Sequence, residues 1–137
     1  ALPTLAGRWI PDMIKLCSCV SQAAPGLAEH VTVRWDDILQ FRPDVIIVAP
    51  QHMALSESLR LFKTMERFPH WEEIPAVKRG EVSFCDGVEH FYRPTARLMD
   101  SMGILVSAIA GFDSGYITPR ESFYRLRWLE LQRHRFV

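Results

Sequence analysis

"DVIIVAP", residues 44–50, decides the fold. Val45 to Val48 are apolar without a break, between Pro43 and Pro50. A strand with one wet face alternates apolar and polar residues. An unbroken apolar run reads as a strand covered on both faces, most often in a parallel sheet. Upstream, "HVTVRW" (30–35) is short and β-branched and predicts a strand, and "DDILQF" (36–41) predicts a helical turn or two. Further upstream, apolar residues at 9, 10, 13, 14 and 16 predict a helix over Gly7 to Cys17. Downstream, Leu55, Leu59, Leu61, Phe62 and Met65 predict a helix over 54–67. "WEEIPAV" (71–77) reads as a short irregular or helical connection, and "GEVSFCDG" (80–87) as a strand between turn signals. Leu98, Met99, Met102, Leu105, Val106 and Ile109 mark one stripe of a helix over 95–110. Strands alternating with helices predict an α/β fold. The expected form is a three-layer sandwich with a central, mainly parallel sheet flanked by helices.

Composition narrows the function classes. The 137 residues suit one domain with a substantial core, and 48% hydrophobic against 23% charged residues fits a globular chain. A net charge of +0 gives no general pull toward nucleic acid or anionic membrane. No apolar run approaches the ~20 residues that span a bilayer. The chain starts at Ala1 without a signal-peptide pattern, so it is expected to be processed or cut from something longer. Cys17, Cys19 and Cys85 form no disulfide framework and no CxxC pair; buried or idle thiols are expected, and a Cys17–Cys19 link would be strained.

No catalytic constellation stands out. His52 follows a strand end and could meet Glu57 on a metal, but no HxxxH or HExxH spacing is present and no metal is expected. Cys85 with His90 lacks an orienting third group. Neither a G-x-S-x-G turn nor a phosphate-cradling glycine loop occurs. The chain is read as a non-enzyme.

Two stretches invite a binding role. "EHFYRPTARLMD" (89–100) sets Arg93 and Arg97 at the start of the 95–110 helix, where partial positive charge favours acids instead. Phe91 and Tyr92 lie beside them. A structural ion pair of Arg93 with Glu89 or Asp86 is the plain alternative. "TPRESFYRLRWLELQRHRFV" (118–137) opens with a capping box: Thr118 as N-cap, Pro119 first in the helix, Glu121 three residues after the cap. It predicts a helix with Phe123, Trp128 and Leu131 on one side and Arg127 among its arginines. That helix either packs on the domain or docks a partner. Residues 1–112 are thus expected to form the main domain and 113–137 a helical extension.

Three motifs in order carry a family resemblance: "AGRWIPDMIKL" (6–16), "RWDDILQFRPDVIIVAP" (34–50) and "WEEIPAVKRGEVSFCDGVEHFYRPTARLMDSMGIL" (71–105). Together they resemble the C-terminal lobe of a class III periplasmic-type substrate-binding protein. These are receptors of ABC importers for vitamin B12 and iron–siderophores, and the cobalamin branch is the most similar. The resemblance covers roughly residues 3 to 110. It implies a ligand cleft between two lobes joined by a long helix.

By that resemblance, Glu89 and Arg93 contact corrin side chains, Phe91 and Tyr92 give flat apolar contact, and Arg97 matches a further family arginine. Corrin amides accept from arginine and donate to glutamate, and a planar macrocycle suits aromatic neighbours. Trp9 borders the cleft and could stack on the ligand, or serve only to staple the first helix. His30 falls where the family presents a tryptophan. Asp36 lies near an acid that docks the membrane permease, although it also sits where a helix start wants an acid. Arg127 and Trp128 are the candidate partner contacts of the extension. "LCSC" (16–19) departs from the family, whose glycines at this point make an easy left-handed helix end.

The N-terminal lobe that would complete the cleft is absent from these residues. The expected function is therefore the ligand-binding lobe of a cobalamin-type receptor. It takes a corrinoid or similar chelate, binds no covalent cofactor, and works with an N-terminal lobe or other subunit and an ABC permease. The alternative is a lobe reused as a structural or assembly domain without transport. A bacterial receptor would be periplasmic; the sequence leaves the compartment open.

Overall fold

The computed structural model describes residues 2–23, 29–64 and 69–85, and the backbone of 123–125. The chain divides into two compact units, 1–42 and 43–137.

In the first unit, β1 (Thr4–Leu5) pairs antiparallel with β2 (Val31–Thr32), Thr4 opposite Thr32 and Leu5 opposite Val31. Helix α1 (Ile10–Leu16) starts with Pro11 in its first turn and buries Ile10, Pro11 and Met13. Its far end is a Schellman motif. The Cys19 N–H bonds the Ile14 carbonyl at 3.2 Å and the Ser18 N–H bonds the Lys15 carbonyl at 2.9 Å, while Ser18 takes a left-handed φ of 58°. A serine thus holds the left-handed position that glycine usually takes at a helix end, at the cost of some strain. Helix α2 (Trp35–Phe41) begins where the Arg34 N–H donates to Asp37 Oδ2 at 2.9 Å. It ends on Arg42 in the left-handed region, just before Pro43. The expected strand over 30–35 shrinks to two residues because Trp35 already opens α2.

In the second unit, β3 (Ile46–Val48) and β4 (Val82–Cys85) pair in parallel, Ile46 opposite Val82 and Val48 opposite Phe84. Between them run α3 (Leu55–Thr64), a 3-10 turn at Trp71–Glu73 and the short α4 (Pro75–Lys78). Helix α3 buries Leu55, Ser58 and Phe62, one face at helical spacing. Phe62 meets Phe84 edge-on with centroids 4.9 Å apart and lies 6.1 Å from Trp71. Ile74, Ala76, Val82 and Cys85 are fully buried around this cluster.

Two expectations change. Phe123–Arg125, expected within a helix, is strand β5, antiparallel to β4 with Ser83 opposite Arg125 and Cys85 opposite Phe123. The cue lay in Tyr124, Leu126 and Trp128 alternating with Arg125 and Arg127, a period of two that favours a strand. The strand buried throughout is also β4 rather than β3, whose three residues are only half-buried. β4 has a neighbour on each side, whereas β3 is paired on one side among the described strands. The described part is thus a mixed α and β structure with one parallel and one antiparallel pairing in its larger sheet. The helix expected over 95–110 lies outside the described residues. Among the described residues no helix is long and apolar enough to cross a membrane.

Replacing Ser18 with glycine relieves the left-handed strain, so thermal unfolding should show a gain of about 0.5–1 kcal/mol. Phe84→Ala empties the centre of the aromatic cluster and should cost about 3–5 kcal/mol in denaturant titration.

Candidate functional site

Gly7 anchors the first unit's candidate surface. Its N–H donates to His30 Nδ1 at 2.8 Å, and its carbonyl accepts from the Ile10 N–H at 3.2 Å. Continuing the β1–β2 register past Leu5 and Val31 brings Gly7 opposite Glu29. The backbones approach so closely there that a Cβ on Gly7 would stand 1.9 Å from the Glu29 carbonyl oxygen. No residue but glycine fits. Sequence reading missed this role; the signal is a glycine between a β-strand and the helix start.

The bond from Gly7 makes His30 Nδ1 an acceptor, so the neutral ring carries its proton on Nε2. Trp9 is the N-cap residue of α1 and is half-buried. Its indole Nε1 is shielded from solvent and has no hydrogen-bond partner among the described residues. Trp9 thus presents no indole N–H to solvent. The two residues join adjoining backbone, since Gly7 precedes Trp9 by two positions and binds His30 directly.

The two acids at α2 differ in their surroundings. Asp37 bonds the Arg34 N–H and approaches its guanidinium at 3.8 Å. Arg34 has no acceptor to return the bond, so only half a capping box forms. Asp36 is exposed in the first turn, where its charge still suits the helix dipole. The cap belongs to Asp37 and the exposed carboxylate is Asp36.

In the second unit, the parallel pairing sets the C-terminal ends of β3 and β4 at one edge of the sheet. After β3, Pro50 to Met53 form a turn closed by the Met53 N–H on the Pro50 carbonyl, with His52 left-handed and exposed. Glu57, weighed as a metal partner for His52, instead accepts from the Ala54 N–H at 3.1 Å and caps α3. Among the described residues no group of three or more His, Cys, Asp or Glu could hold a metal. Cys85 is fully buried in β4, the strand-core thiol expected. An open concavity of about 360 Å³ on α3 is lined by Met53, Glu57, Arg60, Leu61 and Thr64, none of them a predicted ligand residue.

Glu89, His90, Phe91, Tyr92, Arg93, Arg97, Arg127 and Trp128 lie outside the described residues. Comparison with protein-family models, curated proteins and solved structures found no match.

Gly7→Ala forces two backbone segments apart. The variant should unfold at lower denaturant by several kcal/mol or fail to accumulate folded, read by circular dichroism.

Proposed function

We propose that this chain is the C-terminal, ligand-binding lobe of a cobalamin-type substrate-binding protein that delivers a corrinoid or similar chelate to an ABC importer. In this reading the sheet extends into a three-layer sandwich, and Glu89, Phe91, Tyr92 and Arg93 face the ligand, with Arg97, Trp9 and His30 as further contacts. Glu89 accepts from the corrin amide N–H groups and Arg93 donates to the amide carbonyls.

One observation carries the reading. The parallel β3–β4 pair gathers the C-terminal ends of both strands at one edge, the edge where open α/β sheets bind ligands. The stretch holding Glu89 and Arg93 begins four residues after β4 ends at Cys85. The exposed carboxylate of Asp36 suits a permease arginine. The second wall of the cleft comes from an N-terminal lobe.

The assembly reading has its own support. Leu16 is 77% and Val20 84% exposed, a large apolar display for so small a unit. In that reading the lobe serves as a building block and its ligand edge is idle.

A visible-absorbance titration of the complete two-lobe protein with cobalamin separates the two. Saturable binding is expected, and Arg93→Ala should weaken it by at least about 1.5 kcal/mol, the scale of one charged hydrogen bond. Unchanged affinity in that variant would remove Arg93 from the site, and no binding by the wild type leaves the assembly reading.

A further inference from the structure

Cys17 and Cys19 flank the left-handed Ser18 at the end of α1. Both are half-exposed, unlike the buried Cys85. A residue of helical curvature, of either hand, holds its flanking Cα atoms roughly 5.5 Å apart, in the range at which two cysteine sulfurs can meet. The Cys19 thiol turns back over the backbone of Cys17 and donates to its carbonyl at 3.4 Å. The Schellman bonds from Ser18 and Cys19 hold this turn in place before any ligand arrives. A dithiol is therefore presented at the surface on a backbone that is already fixed.

The geometry points to a paired-thiolate site for a soft monovalent d10 cation, copper(I) being the biological one, held between Cys17 and Cys19. The donor set selects the ion. Zinc needs about four ligands, at least three of them from protein. Among the described residues no third carboxylate, imidazole or thiol joins this pair. Copper(I) is satisfied by two thiolates and prefers them to oxygen donors.

On binding, each thiol loses its proton to solvent and its sulfur gives an electron pair to the metal. Two protons leave, one cation arrives, and nothing is oxidised or reduced. The protons released on binding compete with the metal for the two sulfurs, as at any thiolate site.

The test is anaerobic competition for copper(I) supplied as its bathocuproine disulfonate complex, using the full chain with a reductant present. The wild type should withdraw a single equivalent and gain an ultraviolet thiolate-to-copper band. Cys17→Ser with Cys19→Ser should lose both signals while its circular dichroism is unchanged. That variant keeps Cys85, so any copper taken up through Cys85 would persist in it. Ser18→Gly retains the left-handed turn and should still take up copper. Equal uptake by the double variant, or none by the wild type, overturns the assignment.

Discussion

The second unit depends on Phe62. Its ring sits edge-on against Phe84 from one side and near Trp71 from another, so three elements meet at one side chain. Ser58 and Leu55 stand one and two turns before it on the same face of α3. With Phe62 seated, α3 lies over β4, and Trp71 leads the chain into Ile74 and Ala76, both fully buried. The return to β4 is then set by backbone bonds. The Ala76 N–H reaches the Pro43 carbonyl, the Glu81 N–H the Ala76 carbonyl, and the Ile46 N–H the Glu81 carbonyl. These bonds start the parallel ladder, and the ladder brings both strand ends to the edge where the proposed ligand stretch departs.

The first unit is held differently. Its strands have two residues each, too short to be stable by themselves. Its backbone is taut instead. Arg8, Ser18 and Arg42 all take positive φ without being glycine, and each such residue stores strain. The strain buys placement: Arg8 turns β1 into α1, Ser18 ends α1, and Arg42 ends α2 before Pro43. The dithiol and the Gly7–His30 contact both sit at these turns, where local geometry is fixed more by hydrogen bonds than by a core.

The parts legible in the sequence were those with strong periodicity. Leu55 to Phe62 announced α3, and "DVIIVAP" and "GEVSFCDG" announced β3 and β4. Polarity misled where neighbours outweighed composition: "VSFC" holds a serine yet is the most buried strand, while the purely apolar "IIV" is half-buried. At β5, Thr118, Pro119 and Glu121 gave a persuasive helix start, and pairing with β4 prevailed at Phe123–Arg125 over that local preference. Gly7 was opaque because its constraint comes from Glu29, remote in sequence and visible only once β1 and β2 pair. The same holds for the acids of α2. Both sit in the first turn, and only the geometry at Arg34 tells which of them caps.

β4 joins strands from very different points of the chain. Its parallel partner precedes it closely, while its antiparallel partner, β5, is reached only at Phe123. During synthesis, the aromatic cluster and the β3–β4 ladder can form as soon as Cys85 emerges, but the other side of β4 stays unpaired until Arg125 has been made. An open edge on a strand this apolar invites pairing with other chains. The nascent protein therefore passes through an interval in which a chaperone, or a neighbouring subunit, could occupy the place β5 later takes.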